Sequence, residues 1–243
     1  MSEATFFCPC CARSFTHFLP FGVIPRPNAM CPGCSSLERH RMLWLYLKDR
    51  QNFFIDTLTV LHFAPEDALR AALSSLHNLD YITADIEPGR AMREVDITDT
   101  PFDADRFDVI LCIHVLEHVP DDRKALSELF RILKPGGWAI LQSPIDRQRR
   151  DTFEDPTVVS PEERERLFGQ RDHVRVYGRD YSARLEQTGF NVTIEDYAKR
   201  LSPQQIAQCA LGTDLDIFVC SKATSSGVQY PQGIGPAPPI REQ

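Results

Sequence analysis

The chain has 243 residues, of which 42% are hydrophobic and 25% charged, so it can form one α/β domain of ordinary size and a small additional module. The formal net charge of −7 disfavours nucleic acid as a partner, because nucleic-acid binders neutralise phosphates with a basic surface. No apolar run reaches the roughly 18 residues of a membrane span, and residues 1–5 lack the features of a signal peptide. These observations predict a cytoplasmic protein without a membrane partner.

Cysteines are concentrated near the start of the chain, where five of the eight lie within the first 34 residues. They include two CxxC pairs, and a spare thiol, Cys10, could replace Cys8 or Cys11. Two such pairs at this spacing are typical of a zinc ribbon, in which four thiolates close the coordination shell of a structural zinc ion. The alternatives are reduced surface thiols or a redox CxxC. We predict a zinc-ribbon-like module over residues 1–36, with the metal ligands Cys8, Cys11, Cys31 and Cys34.

The rest of the chain is predicted to contain a connecting helix, one large domain and a disordered tail. The helix spans residues 37–50, the domain 51–222 and the tail, which is rich in Gly, Pro and Ser, 223–243. The domain alternates strands and helices, which predicts a mostly parallel sheet with helices on both faces. A turn is expected at 135–137 and an N-cap at Asp180. The predicted strands are 58–63, 80–84, 93–96, 107–113, 138–143, 190–196 and 215–220, and the predicted helices are 65–77, 121–133 and 180–188.

Acidic residues follow two of the predicted strands. Asp85 ends the second strand about 20 residues after the first strand–helix turn, where nucleotide-binding folds place an acid that hydrogen-bonds ribose hydroxyls. Asp96 and Ile97 follow the third strand, where an acid can meet the exocyclic amine of adenine. These positions predict a nucleotide-containing cofactor at the carboxyl edge of the sheet.

Residues 107–141 (FDVILCIHVLEHVPDDRKALSELFRILKPGGWAIL) resemble the centre of class I S-adenosylmethionine (SAM)-dependent methyltransferases, and of the methyltransferase type 11-like branch in particular. The resemblance implies a Rossmann-like seven-stranded sheet, SAM as cofactor and an enzyme of class EC 2.1.1.-. It also implies that Asp85, with the adjacent Ile86, contacts the ribose, that Asp96 and Ile97 flank the adenine, and that His114 lines the pocket.

The first loop departs from the family pattern, which is acidic and rich in glycine. His62 stands in place of the usual acid, and Ala64 is the smallest substitute for a glycine that would let the backbone approach a ligand closely. Pro65 and Glu66 begin the helix whose N-terminus can still offer backbone donors. We therefore predict that SAM binding persists with altered contacts through His62, Ala64, Pro65 and Glu66.

The long polar segment 144–181 is expected to cover the substrate, because long ordered loops at the carboxyl edge of a sheet usually carry function. His173 is the candidate general base, and His118 a second catalytic candidate. For both histidines the alternative is a structural role. The candidate substrate-binding residues are Glu154, Arg164, Arg175 and Tyr177.

These features favour an enzyme that methylates a small polar or anionic molecule. An RNA methyltransferase is one alternative, although the acidic net charge and the segment Ile113–Leu116, which lacks an Asn-Pro-Pro-Tyr-like motif, count against it. A non-catalytic binding module, with a zinc ribbon and a degenerate SAM fold, is the other. Failure of the folded protein to bind SAM would favour that alternative.

Overall fold

The computed structural model describes residues 6–22, 24–212 and 215–224. The chain begins with two short antiparallel hairpins. In the first, β1 (Phe6–Cys8) pairs with β2 (Arg13–Phe15), and in the second β3 (Leu19–Phe21) pairs with β4 (Arg26–Met30). Their small shared core contains Phe18 and two buried cysteines, which is too little apolar surface to stabilise a fold alone.

The remaining strands and helices form an α/β sandwich. In chain order the strands are β5 (Leu58–Phe63), β6 (Leu79–Asp85), β7 (Arg93–Glu94), β8 (Phe107–Ile113), β9 (Leu133–Gln142), β10 (Phe153–Glu154), β11 (Arg175–Val176), β12 (Asn191–Glu195) and β13 (Ile217–Ser221). The helices are α1 (Glu38–Asp49), α2 (Gln51–Ile55), α3 (Asp67–Ser74), α4 (Asp122–Ile132), α5 (Pro161–Phe168), α6 (Tyr181–Glu186), a 3-10 helix (Tyr197–Arg200) and α7 (Pro203–Gln208).

Seven strands form one sheet in the order β12-β13-β9-β8-β5-β6-β7. The five strands from β9 to β7 are parallel, and β13 inserts antiparallel between β9 and β12. Two hydrophobic clusters lie on the sheet, one containing Leu61, Ile110 and Leu126, the other Val60 and Leu111. Side chains that alternate along β5 and β8 thus enter opposite clusters, as a strand covered on both faces requires. The predicted Rossmann-like seven-stranded sheet is confirmed.

The structure differs in detail from the predicted elements at several places. The helix predicted over 65–77 begins only at Asp67, because Glu66 at its N-cap is extended. The turn predicted at 135–137 lies inside β9, where Gly136 takes a φ of +83° and the register shifts against β8. Asp180 does occupy the N-cap of α6, but its carboxylate accepts from the Thr152 hydroxyl and not from the helix. The predicted N-cap position of Asp180 is therefore confirmed, although its side chain does not cap the helix.

Helix α1 joins the N-terminal hairpins to the sheet. It is buried from His40 to Leu47, because one side packs in the cluster around Val60 while its first turn faces the hairpins. The guanidinium of Arg41 is fully buried and donates to Ala29 O and Ser36 O on one side and to Cys209 O and Ala210 O on the other. Arg41 thus ties the hairpins to the segment that follows α7.

No helix within the described ranges has the length and apolar character to cross a bilayer. The predicted disordered tail falls outside the described residues from position 225 onward. The predicted boundaries at 36, 50 and 222 stay predictions.

Candidate functional site

The carboxyl ends of the parallel strands form one edge of the sheet, and polar residues follow them. Ala64 follows β5 and His114 follows β8, and both adopt positive φ angles, of +45° and +54°. This left-handed conformation is costly for residues other than glycine. Backbone hydrogen bonds from Ala64 N to Ala84 O (2.8 Å) and from His114 N to Gln142 O (2.7 Å) hold both turns. Ala64 therefore keeps the backbone conformation that a glycine would favour.

Asp85 and Ile86 lie at the end of β6. One oxygen of Asp85 accepts from Glu87 N (2.9 Å), whereas the other lies 3.9 Å from Arg90 Nε, beyond hydrogen-bond range. Ile86 is 66% exposed. A carboxylate with a free oxygen beside an exposed apolar side chain suits a ligand that combines hydroxyl groups with a flat ring.

Asp96 and Ile97 follow β7. The carboxylate of Asp96 accepts from both the backbone and the hydroxyl of Thr98, each at 2.8 Å, and these bonds lower the pKa of Asp96. The side chain of Ile97 is buried in the core. Asp96 is thus an anion at the edge, whereas the side chain of Ile97 packs in the core. The predicted position of both residues beside an adenine stays a prediction.

A buried carboxylate lies between two imidazoles in the loop that follows β5. Glu66 lies 3.3 Å from His40 Nε2 and 3.4 Å from His62 Nε2. His40 Nδ1 accepts from Leu37 N, so the neutral ring carries its proton on Nε2, facing Glu66. Burial alone would raise the pKa of Glu66, but the two imidazoles hold it well below its usual range. His62 also contacts the Tyr81 hydroxyl (2.9 Å) and is fully buried.

A second group of imidazoles and carboxylates follows β8. Glu117 is 2% exposed, lies 3.2 Å from His114 Nδ1 and accepts from the Ser143 hydroxyl (2.9 Å). The rings of His118 and His173 are perpendicular, with centroids 4.7 Å apart. The structure therefore brings both catalytic candidates together, and places the buried Glu117 beside them.

Most of the predicted substrate-binding residues are engaged in a buried network. Arg175 is 3% exposed and donates to Glu154 and to three carbonyls of the loop before α4. Tyr177 is fully buried and donates to Asp122 (2.6 Å). These contacts fasten the antiparallel pair of β10 and β11 to the loop of residues 116–120. The polar atoms of Arg175 and Tyr177 are thus already paired and support this loop, and their predicted contact with a substrate stays a prediction.

The other two predicted substrate-binding residues, Glu154 and Arg164, are partly exposed. The side chain of Glu154 is 39% exposed although it pairs with Arg175 and Arg184. Arg164, on α5, donates to Val158 O at 3.3 Å. Both stay candidates for a contact with substrate.

Four cysteine sulfurs converge between the two N-terminal hairpins. Cys8 Sγ lies 3.5 Å from Cys34 Sγ, and Cys11 Sγ lies 3.8 Å from Cys31 Sγ. A tetrahedral zinc ion with Zn–S bonds of about 2.3 Å would set its sulfurs about 3.8 Å apart. Cys10 is outside this group of four. The sulfur spacing therefore fits zinc.

Sequence reasoning missed the contribution of α1 to the site. Its first turn brings His40 against Glu66. Burial of Arg39 in the same turn lowers the pKa of its guanidinium, and the nearby carboxylates of Glu66 and Glu117 partly offset that effect. The segment had been interpreted as a connecting helix, and its polar residues carried no indication of what they would face. The continuous apolar run from Met42 to Leu47 indicates a helix that is buried on all sides, and this was the signal present in the sequence.

The part of the chain that forms this edge of the sheet is similar to known proteins. Residues 64–141 match the family model of the methyltransferase domain. The matched segment runs from the turn after β5 to the end of β9 and so includes Asp85, Asp96 and His114. It does not include the four clustered cysteines or His173.

Curated relatives share part of this region. The chain is 31% identical over 111 residues to the ubiquinone biosynthesis O-methyltransferase of Burkholderia ambifaria, which is 46% of this chain and 37% of that protein. It is 48% identical over 46 residues to the demethylmenaquinone methyltransferase of Clavibacter sepedonicus, 19% of each chain. The chain thus spans well under half the length of these relatives.

Among solved structures, the [4+2]-cyclase SpnF is similar, with a TM-score of 0.53 at 14% identity over 78% of this chain and 84% of that one. This likeness supports the fold. Because SpnF is named as a cyclase, the fold alone does not decide which reaction the site performs.

Proposed function

We propose that the chain is a SAM-dependent methyltransferase that acts on a small-molecule acceptor. The observation that carries the proposal is the match of residues 64–141 to the methyltransferase domain, which coincides with the carboxyl edge where Asp85, Ile86 and His114 lie. Ligands of open α/β sheets bind at this edge. The acceptor is proposed to be small because the similar proteins are named for quinone methylation and the chain is acidic.

The residues at the edge fit the chemical parts of SAM. We propose that the ribose hydroxyls of SAM contact the Asp85 oxygen that makes no hydrogen bond, and that the adenine lies against Ile86 and Asp96. The rest of the SAM molecule would lie against the turns at Ala64 and His114. SAM supplies an activated methyl group on a sulfonium. The protein therefore needs mainly to align an acceptor with it, and a base only if the acceptor atom carries a proton. His173 and His118 are the candidate bases.

Replacing Asp85 with Ala is expected to weaken SAM binding at least about tenfold, because a hydrogen bond to a charged group contributes about 1.5–3 kcal/mol. Isothermal titration of the zinc-replete protein with SAM and with S-adenosylhomocysteine measures the change. Asp80→Ala is the matched control, since Asp80 is an exposed residue near the start of the same strand and its loss should leave binding unchanged. Equal binding by wild type and Asp85→Ala would contradict the assignment.

One observation favours a second candidate function, a non-catalytic binding module. Glu66 places a buried anion at the N-terminus of α3, the position where a helix favours an anionic ligand group. The protein would then resemble a methyltransferase whose cofactor loop is already occupied. A folded protein that binds neither SAM nor S-adenosylhomocysteine would favour this candidate. Copurifying RNA would revive an RNA acceptor.

We further propose that Cys8, Cys11, Cys31 and Cys34 hold a structural zinc ion. Their sulfurs are spaced as a tetrahedral ion requires, and the hairpins that carry them share only a small core. Metal binding would supply the folding free energy that this core lacks. With four thiolates, the ion has no open position for chemistry.

Replacing Cys31 with Ser is expected to remove this zinc and to lower the melting temperature by about 5 °C or more, because a structural zinc contributes folding energy. Metal analysis and thermal melting measure the two effects, and a strong chelator should reproduce them in the wild type. Cys10→Ser is the matched control and should retain the metal. If Cys10→Ser loses zinc while Cys11→Ser keeps it, Cys10 is the ligand instead.

A further inference from the structure

Glu117, His118 and His173 form a cluster that the cofactor assignment does not use. One potential ligand atom from each residue lies within 4.8 Å of the other two. Glu117 and His173 are buried, whereas the His118 side chain is 34% exposed. The three residues therefore converge on a point that is enclosed by protein on one side and reachable from solvent on the other.

The two imidazoles are oriented by contacts through the same ring nitrogen. His118 Nδ1 lies 3.2 Å from the carboxylate of Asp172, and His173 Nδ1 lies 3.3 Å from Phe168 O. A neutral ring with its proton on Nδ1 leaves Nε2 as a lone-pair donor. Among the described residues, neither Nε2 atom has a hydrogen-bond or ion-pair partner. Metal-binding histidines are held in this way, with the far nitrogen donating to a carboxylate or a backbone carbonyl.

Glu117 is also fixed by contacts of its side chain and of its backbone. Its two oxygens contact His114 Nδ1 and the Ser143 hydroxyl, and Val174 N donates to its backbone carbonyl at 2.9 Å. This last bond links the residue directly to the chain beside His173. Glu117 is a buried carboxylate with two imidazole nitrogens within 4.8 Å, and the charge of a bound cation would offset the cost of burying it.

We propose that Glu117, His118 and His173 bind a divalent first-row transition metal ion, separate from the four-cysteine site. Two imidazoles and one carboxylate suit zinc, iron or cobalt more than magnesium or calcium, which prefer oxygen ligands alone. Three protein ligands leave at least one coordination position open. The exposed side of His118 places that position toward solvent, where an oxygen of a small molecule can enter.

The chemical use of this metal rests on the proposed methyltransferase function. Glu117 contacts His114, which begins the turn at the proposed cofactor edge, so the two sites adjoin. A hydroxyl of the acceptor bound to the metal would lose its proton to solvent more readily. With the metal bound, His118 and His173 act as its ligands and take the place of the bases considered above. Its oxygen would then form the bond to the methyl carbon as the sulfur–carbon bond of the sulfonium breaks. The metal would thus select acceptors that carry a hydroxyl group.

Metal content tests the site without SAM. Protein equilibrated with zinc buffer is expected to hold two zinc ions per chain, and His118→Ala only one. Asp172→Ala, which removes an exposed outer partner, should weaken the second ion about 10- to 100-fold. His77→Ala is the matched control, because His77 is exposed and lies elsewhere in the chain. Circular dichroism confirms that each variant is folded. Isothermal titration with Co²⁺ gives the affinity, using protein dialysed until only the zinc ion of the four-cysteine site remains.

The outcomes separate this inference from the proposed function. A wild type that holds one zinc ion per chain, lost on Cys31→Ser, or a His118→Ala variant that still holds two, overturns the second site and leaves the imidazoles as a packed pair. SAM binding is measured on the same samples. A second metal ion without SAM binding would support the metal site and contradict the proposed methyltransferase function. SAM binding without a second metal ion would support that function and contradict the metal site.

Discussion

Replacing Arg41 with Met is expected to lower the free energy of unfolding by about 3 kcal/mol or more, since each buried carbonyl that loses its donor costs about 1–3 kcal/mol. Arg41 donates to four carbonyls, of Ala29, Ser36, Cys209 and Ala210. Its guanidinium also lies over the ring of Phe18, 4.7 Å from the centroid. Methionine fills part of the volume but provides no donor, so these carbonyls would remain buried without partners.

Urea unfolding in the presence of zinc, followed by tryptophan fluorescence and circular dichroism, measures this loss. Lys48→Met is the matched control, because Lys48 is an exposed cation on the same helix and its removal should cost less than about 1 kcal/mol. An Arg41→Met variant as stable as Lys48→Met would show that water replaces the missing donors and that the hairpins are not anchored through this side chain.

The position of Arg41 links the N-terminal module to the candidate site. The turn of α1 that carries Arg41 also carries Arg39 and His40, and His40 contacts Glu66 in the loop after β5. Anything that displaces the hairpins would therefore move a residue of the cofactor loop. This connection gives the proposed zinc ion an indirect influence on the site although it has no open coordination position.

The parts of the fold that the sequence predicted well are those governed by local apolar patterns. The strand 107–113 was predicted with its observed bounds, because a continuous apolar run fits only a strand covered on both faces. Asp85 and Asp96 could be grouped because parallel strands end at one edge, whereas His114 was assigned to the pocket through the resemblance of residues 107–141. The four cysteines could be grouped because their spacing is short and repeated.

Burial of polar residues could not be predicted in the same way. Arg175 and Tyr177 have the chemistry of a substrate site, but the structure buries both against a partner, Asp122, that lies more than fifty positions away in sequence. Similarly, His40 became part of the site only through the packing of α1. The identity of a polar residue does not show whether its side chain faces a ligand or a buried charged partner, so only the packing distinguishes the two roles.

Replacing Asp122 with Ala is expected to lower the free energy of unfolding by about 3–5 kcal/mol, the cost of removing one partner from a buried ion pair. Asp122 is 1% exposed and contacts Arg184 Nη2 (2.5 Å), the Tyr177 hydroxyl (2.6 Å) and Arg175 Nε (3.7 Å). Without it, the partly exposed Glu154 is the remaining anionic partner of these two buried guanidinium groups among the described residues. Asp122→Asn, which keeps the volume and one acceptor, should cost less. Urea unfolding measures both variants.

Asp121, the residue next to Asp122, provides the control for Asp122→Ala. Asp121 is exposed and caps α4 by accepting from Lys124 N (3.0 Å), so Asp121→Ala should cost only about 1 kcal/mol. If Asp121→Ala is the more destabilising change, the network contributes less than an ordinary helix cap. With the expected order, Asp122→Ala should also weaken the proposed second metal ion. Asp122 helps to hold Arg175, Arg175 binds the carbonyls of residues 116, 119 and 120, and that loop carries Glu117 and His118.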